Sequence, residues 1–244
     1  LYKISQPFAY RIFCQNIDDY HFLNKQNLVP QKNLYLLPGS GVDLKRFNKS
    51  LRLQRSKHNS IFTFLFAGRM LKDKGIFELI SALKIVNAKE QRCKLILSGF
   101  SDSDNLSAIS EDELKSFSKI EGVDWIGPTD TIEEVLAVVD CVVLPSYREG
   151  MPKILLEAGA MGLPSLASDV PGCRNIIQDG LNGLLFQPKN IHSLEKAINK
   201  MLEMSKSERK VMGSNASEIV TKNYDEKIVI NAFFNVLEEY PKNI

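Results

Sequence analysis

The feature that most constrains the fold is an alternation of short apolar runs with helix-like patterns along most of the chain. Several runs are apolar on both faces, as are strands of a parallel sheet covered on both sides. They predict strands at Arg11–Gln15, Leu34–Leu37, Ile61–Phe66, Lys94–Leu97, Val123–Ile126, Cys141–Leu144, Pro164–Ala167 and Gly183–Phe186. Helices are predicted between and after them, around Ile76–Val86 and at Glu111–Ile120, Ile132–Val139, Pro152–Met161, Cys173–Asp179, Ile191–Met204, Lys206–Asn223 and Glu226–Tyr240. This order predicts an α/β fold with a Rossmann-like, doubly wound parallel sheet.

A break in the alternation divides the chain into segments. Residues 38–60 open with turn chemistry and have little apolar periodicity, so we assign them to an interdomain linker. Residues 61–225 are predicted to form one complete domain. Residues 1–37 supply a strand, a helix and a strand, which is too little for an independent core, so we assign them as the remnant of a preceding domain. Residues 226–244 contain a C-terminal helix, and we expect the 244 residues to be part of a longer protein.

Composition excludes some function classes. A formal net charge of +2 argues against a broad nucleic-acid-binding surface. The four cysteines form no C-x-x-C pair and the three histidines are scattered, so the sequence predicts neither a zinc site nor a disulfide framework. This cysteine usage favours a reducing cytoplasm. One local exception runs from Leu44 to Lys72, which contains cations and no acid. That stretch fits either a solvated linker or a surface that attracts anionic lipid or phosphate.

A first candidate motif joins a predicted strand to a helix at Phe66–Gly75. Gly68 would let the backbone approach a ligand closely at the carboxyl end of the strand. Arg69 and Lys74 place two cations at the crevice where open α/β sheets bind ligands, and together they suit a diphosphate. The alternative is a loop with surface cations.

A second candidate motif runs from Glu149 to Glu157. Pro152 fits the first position of a helix, whose free amides and dipole would form an anion site, and Gly150 leaves that site open. Glu157 would lie ~7 Å along the helix among apolar residues, where a carboxylate is costly unless hydrogen-bonded. Hydroxyls of an extended ligand would supply those bonds. The alternative is that Glu149 is a helix-entry acid and Glu157 an exposed helix residue.

The segment from Glu149 to Glu157 resembles the E-x7-E signature of retaining glycosyltransferases with the GT-B fold, specifically the family-four group. Other pieces agree in order and spacing over residues 34–240, namely Ala67-Gly68-Arg69 with Lys74-Gly75, Leu144-Pro145-Ser146 and Gly162-Leu163-Pro164. The opening segment is similar to bacterial capsule and O-antigen members of this group. The resemblance implies that this chain is mainly the C-terminal, donor-binding half of such an enzyme.

Residue roles follow from the resemblance. Arg69 and Lys74 would neutralise the donor diphosphate, Glu157 would hold the ribose and Glu149 would bind hydroxyls of the transferred sugar. Donor contacts are also implied for Gly68, for Gly99 and Ile126 at the base, and for the main chain of Gly150, Met151, Pro152, Lys153 and Ile154. Transfer would retain the anomeric configuration by front-face attack without a protein nucleophile. No cofactor and no obligatory metal are implied, and Asp102-x-Asp104 is interpreted as a turn or a helix cap in a polar loop.

The same resemblance implies the partners of the chain. The donor would be a nucleotide-diphosphate sugar, with UDP the expected nucleotide and GDP an alternative. The acceptor would be a glycan or lipid-linked glycan in polysaccharide biosynthesis, and no nucleic acid is expected. The protein would be cytoplasmic, with peripheral contact to the inner membrane through the basic stretch. The C-terminal helix could cross to the missing N-terminal domain, and without that domain we expect weak donor binding and little transfer.

Two other functions stay open at this point. One is a non-catalytic nucleotide-binding module, for which Glu149→Ala and Arg69→Ala would leave biological activity unchanged. The other is a sugar-nucleotide epimerase or a phosphorylase of related architecture. An epimerase needs its own acid and base and a phosphorylase usually has a pyridoxal lysine, and neither is visible in the sequence.

Overall fold

A computed structural model describes residues 2–5, 8–53, 61–88 and 92–238. Arg55 and Lys57 of the basic stretch and the end of the predicted C-terminal helix lie outside the described residues. The strands are β1 (Ile12–Cys14), β2 (Leu34–Leu36), β3 (Phe62–Ala67), β4 (Cys93–Ser98), β5 (Val123–Gly127), β6 (Cys141–Leu144), β7 (Ser165–Ser168) and β8 (Gly183–Phe186). Each predicted strand is present, with its ends within one residue of the prediction.

Helices fill the intervals between the strands. They are α1 (Tyr2–Ser5), α2 (Ile17–Lys25), α3 (Lys49–Leu53), α4 (Ile76–Val86), α5 (Glu111–Phe117), α6 (Ile132–Val138), α7 (Lys153–Ala160), α8 (Cys173–Ile176), α9 (Ile191–Glu203), α10 (Lys206–Asn223) and α11 (Glu226–Glu238). Short 3₁₀ turns lie at Gln31–Asn33 and Lys72–Lys74. Helices α5 and α8 end three residues before their predicted ends. In α8 the reason is that Ile177 is extended, at φ −95° and ψ 120°.

The main sheet has six parallel strands in the order β5-β4-β3-β6-β7-β8. Its central strands are apolar on both faces because helices cover both, and Leu65, Phe66 and Val142 are fully buried. The strand order reverses between β3 and β6. Loops leaving these two strands therefore diverge and open a crevice at the carboxyl edge of the sheet, where doubly wound folds bind ligands. The doubly wound α/β prediction is confirmed.

Residues 12–36 form a small unit beside this domain. β1 and β2 pair in parallel, with Ile12 opposite Leu34. Cys14, Leu28, Val29 and Leu34 form a separate small core under α2. This core is much smaller than that of the large domain.

Part of the predicted linker packs on the large domain. Val42 and Phe47 are 4% exposed and belong to the main core. Val42 also exchanges backbone hydrogen bonds with Tyr224 and Glu226, where α10 ends and α11 begins. Helix α3 packs against α6 and was not predicted, because five residues are too few to show a helical period.

Candidate functional site

A cleft of about 730 Å³ opens at the carboxyl edge of the main sheet. Nine predicted site residues line it, namely Gly68, Arg69, Lys74, Gly99, Glu149, Pro152, Lys153, Ile154 and Glu157. These residues come from the ends of β3 and β4, the turn after β3, the loop after β6 and the start of α7. The topology thus brings two sequence motifs about 80 positions apart into one cavity, as expected for the point where strand order reverses.

The two cations of the first motif face different partners. Lys74 Nζ lies 2.6 Å from Glu149 Oε1, and both side chains are largely buried, at 17% and 13% exposed. Arg69 is half-exposed, and its guanidinium lies 3.3 Å from Asp102 Oδ2. The Asp102-Ser103-Asp104 segment forms a turn closed by the Asn105 amide donating to the Asp102 carbonyl, as predicted. One of its carboxylates therefore serves as a partner of Arg69.

Helix α7 points its amino end at the same cleft. Pro152 is buried and precedes the helix, at φ −73° and ψ 112°, so the prediction that it occupies the first helical position is wrong by one residue. Its ψ is extended because the chain enters the helix only at Lys153. The first amides of α7 lack carbonyl partners in a preceding turn, and the helix dipole places partial positive charge there. This end of α7 can accept an anion.

Glu157 lies one turn into α7, on the side that faces the cleft. Burial raises the pKa of its carboxyl above the ordinary value, and the nearby Lys153 and Arg46 charges only partly oppose this. Within the part of the chain that the structure describes, no side chain or amide is hydrogen-bonded to this carboxylate. A half-buried carboxylate open only toward a cleft can accept hydrogen bonds from ligand hydroxyls.

Glycine is required where two loops of the cleft meet. Gly99 has φ +149°, and a Cβ atom there would lie 1.8 Å from the carbonyl oxygen of Gly68. The ends of β3 and β4 can approach this closely because Gly99 has no side chain. Trp125 Nε1 donates to the Gly99 carbonyl at 2.9 Å and holds this edge in place.

Three predicted site residues do not line the cleft. Ile126 is 47% exposed and lies outside it. Met151 instead borders a second cavity of about 330 Å³, beside residues 15–17 and 36–38. The carbonyl of Gly150 accepts a hydrogen bond from Asn16 Nδ2. Gly150 and Met151 thus face the small unit of residues 12–36.

Sequence reasoning missed one wall of the cleft. Pro128, Thr129, Asp130 and Ile132 form it, after β5. Arg46 holds this wall, since its guanidinium donates to Glu133 Oε2 at 2.7 and 3.0 Å and to the Asp130 carbonyl. That contact lowers the pKa of Glu133. The position of this loop directly after a strand of the sheet was the signal available in the sequence.

Neither a metal centre nor a membrane span is recognisable in the described ranges. Residues 2–5, 8–53, 61–88 and 92–238 contain no group of three His, Cys, Asp or Glu side chains placed to hold a metal ion. Over the same residues, no helix is both long and apolar enough to cross a bilayer. All four cysteines are buried and free, and burial raises the pKa of Cys93 to about 12.

Known proteins resemble this chain over most of its length. An N,N'-diacetylbacillosaminyl-diphospho-undecaprenol alpha-1,3-N-acetylgalactosaminyltransferase of Campylobacter jejuni is 29% identical over 252 residues, covering 100% of this chain and 64% of the relative. A UDP-Gal:alpha-D-GlcNAc-diphosphoundecaprenol alpha-1,3-galactosyltransferase of Escherichia coli is 24% identical, covering 99% of this chain and 62% of the relative. The chain therefore spans less than two thirds of either relative.

Solved structures share the fold. HepE of Anabaena, solved in complex with UDP and glucose, aligns with a TM-score of 0.78 at 20% identity, over 95% of this chain and 64% of HepE. The C-terminal domain of a glycosyl transferase group 1 family protein of Francisella tularensis aligns with a TM-score of 0.61 at 22% identity, over 76% of this chain and 99% of that domain. The predicted sheet of a GT-B C-terminal half is thus confirmed as the fold.

One protein family accounts for most of the large domain. The family described as "Glycosyl transferases group 1" matches residues 49–219, from α3 into α10. The match includes both motifs of the cleft and the strands on either side of the strand-order reversal. The chain belongs to the glycosyl transferases group 1 family.

Proposed function

We propose that this chain is the donor-binding half of a retaining glycosyltransferase that moves a sugar from a UDP-sugar to a lipid-linked glycan in polysaccharide biosynthesis. The supporting observation is that one cleft brings together the cations Arg69 and Lys74, the amino end of α7 and the carboxylates Glu149 and Glu157. This set matches the chemistry of a nucleotide-diphosphate sugar, which has an anionic centre with hydroxyl-bearing rings on both sides.

The diphosphate would bind between Arg69, Lys74 and the amino end of α7. In the structure Lys74 is paired with Glu149 at 2.6 Å. A bound diphosphate would compete for the ammonium group and leave Glu149 oxygens free to accept from hydroxyls of the transferred sugar. During transfer, the cations would stabilise the charge that develops on the leaving nucleotide.

The ribose would bind at Glu157. Its carboxylate is half-buried, and this burial raises its pKa. Two ribose hydroxyls would serve as its hydrogen-bond donors. The base would then lie toward Gly99 and the loop of Pro128, Thr129 and Asp130, which forms the far wall.

The acceptor and the location of the enzyme are part of the same proposal. Two relatives are named as transferring sugars to undecaprenol-diphosphate-linked glycans. A lipid-linked acceptor would place this protein at the cytoplasmic face of the inner membrane. Lys45 and Lys49 are exposed cations of the basic stretch and would face anionic headgroups.

Calorimetric titration of the 244-residue chain with UDP, GDP and ADP tests the donor assignment. We expect UDP to bind most tightly, and binding to survive a chelator because no metal is required. If none of the three nucleotides binds, the proposal is wrong. In a full-length protein, Glu149→Ala should abolish sugar transfer, whereas a non-catalytic module would keep its activity.

The role of Lys74 can be separated from general charge effects. Lys74→Met removes a charge-assisted contact worth about 1.5–3 kcal/mol, so UDP affinity should fall roughly 10- to 150-fold. Lys72→Met is the matched control, since Lys72 is an exposed cation of the same 3₁₀ turn that does not line the cleft. Equal losses in the two variants would mean that only overall charge attracts the nucleotide.

A further inference from the structure

Residues of the small unit contact the main domain at and beside the loop that contains Glu149. We call this contact the Asn16 clasp, formed by Asn16, Asp18 and Asp19 with the main-domain residues Arg148, Gly150 and Asn175. Asn16 Nδ2 donates to the Gly150 carbonyl at 2.9 Å, and Asn175 Nδ2 donates to Asp18 Oδ2 at 3.2 Å. Arg148 lies 3.7 Å from Asp19, but it is 85% exposed and adds little.

Asn16 is the centre of the clasp because its amide is buried and fully bonded. It is 2% exposed. Its Oδ1 caps α2 by accepting from the Asp19 amide at 2.8 Å, and its Nδ2 donates to both Asp19 Oδ2 and Gly150. With its acceptor and both donors engaged, the amide has one orientation, and breaking any bond would leave a buried polar group unpaired.

The backbone that Asn16 holds is also closely approached by Gly172. A Cβ atom at Gly172 would lie 2.3 Å from the Gly150 carbonyl oxygen and 2.8 Å from that of Glu149. The Gly150 carbonyl is therefore bonded by Asn16 and lies close to the backbone of Gly172. Glu149 directly precedes Gly150, and its side chain extends into the cleft, where it pairs with Lys74.

We infer that Asn16 is a positioning residue of the donor site, which fixes Glu149 through the Gly150 carbonyl so that its carboxylate meets the transferred sugar. This inference rests on the proposed function for the identity of that sugar site. An asparagine suits the position because it can cap α2 and donate to Gly150 at once. Serine caps a helix equally well but is too short to make the second bond.

Two variants test the bond to Gly150. Asn16→Ser keeps the cap of α2 and removes the Nδ2 group that donates to Gly150 and to Asp19 Oδ2. Asn190→Ser is the matched control, because Asn190 caps α9 by accepting from the Ser193 amide at 2.9 Å and donates to Gln187 outside the cleft. Asn190→Ser also keeps its cap and loses one Nδ2 bond, so it measures the effect of shortening a capping asparagine away from the cleft.

Hydrogen exchange of the ligand-free chain gives the first measurement. Asn16→Ser should speed exchange of residues 147–151 roughly fivefold, the equivalent of one lost hydrogen bond, while exchange of β3 and β6 stays unchanged. Asn190→Ser should leave residues 147–151 as in the unmodified chain. Unchanged exchange at these residues in Asn16→Ser overturns the inference whether or not any nucleotide binds.

The second measurement compares two ligands of one site. UDP and the UDP-sugar that binds best among UDP-glucose, UDP-galactose and UDP-N-acetylgalactosamine are titrated into each variant. Asn16→Ser should weaken the UDP-sugar roughly fivefold more than UDP, because only the sugar contacts Glu149. Equal weakening of both ligands would indicate a merely structural role and overturn the inference. Failure of the unmodified chain to bind UDP would instead count against the proposed function.

Discussion

At the scale of single residues, the cleft contains a carboxylate whose burial opposes its ionisation. Glu157 has no compensating hydrogen bond in the described residues, and burial raises its pKa. The cost of such a group is typical of binding sites, since the ligand supplies the missing bonds. Glu157 should therefore oppose stability and support binding at neutral pH.

Replacing Glu157 tests whether its carboxylate lowers the stability of the fold while it supports nucleotide binding. In the unfolded chain the carboxyl ionises near its ordinary pKa, but in the folded chain it ionises only at higher pH, so stability is lost as pH rises between the two values. Glu157→Gln should raise the Tm at pH 7, with the difference vanishing below about pH 4, while UDP affinity falls roughly tenfold or more. Thermal unfolding and calorimetry at both pH values measure these effects. Glu218→Gln, at an exposed position on α10, is the control, and a lower Tm for Glu157→Gln at pH 7 would contradict the argument.

Sequence patterns located the charged residues of the cleft but not all their contacts. Arg69, Lys74 and Glu149 could be predicted because they lie in loops that follow parallel strands, which end at one edge of the sheet, and Glu157 because it follows on the adjacent helix. Their roles in donor binding stay predictions. The bond from Asn16 to Gly150 joins residues 134 positions apart, and no local pattern specifies such a partner.

At the scale of elements, the hydrophobic pattern of the sequence determined which strands and helices could be predicted. The strands were predictable because Phe64, Leu65 and Phe66, like Val142 and Val143, are buried on both sides of the sheet. Helix ends were less predictable, since α5 stops at Phe117 although Ile120 continues the apolar pattern and packs partly on the core. Tertiary packing, rather than periodicity, decides where such a helix ends.

The junction of β3 and β4 gives a prediction at this scale. Gly99→Ala would force its Cβ against the Gly68 carbonyl, 1.8 Å away, so one strand end must shift. We expect a loss of roughly 2–4 kcal/mol in the free energy of unfolding, together with weaker UDP binding. Gly127→Ala is the control, because Gly127 also has a positive φ, +72°, but a Cβ there would meet nothing within 4 Å. Urea titration measures both, and similar losses would assign the effect to backbone strain alone.

At the scale of the whole molecule, a small unit is held on a large one. Residues 12–36 have only a minor core of their own, so their position depends on contacts with the rest of the chain. The Asn16 clasp supplies polar contacts beside the cleft. One apolar contact is between Phe13 of β1 and Phe233 of α11, with ring centroids 5.1 Å apart. Helix α11, which contains no fully buried residue, thus connects the end of the large domain to the small unit.

Removing the Phe13–Phe233 contact should loosen the small unit without unfolding the large domain. An aromatic pair of this kind contributes about 0.5–1.5 kcal/mol beyond its buried area, so Phe233→Ala should speed hydrogen exchange in β1 and α11 roughly two- to tenfold. Exchange in β3, β4 and β6 should not change, because those strands lie in the separate main core. Phe234→Ala is the matched control, since Phe234 is 55% exposed and its ring neighbour is Phe233 rather than Phe13. If both variants exchange alike, the Phe13–Phe233 contact is not what holds the small unit. If β3 and β4 loosen as much as β1, the two units unfold together as one cooperative domain.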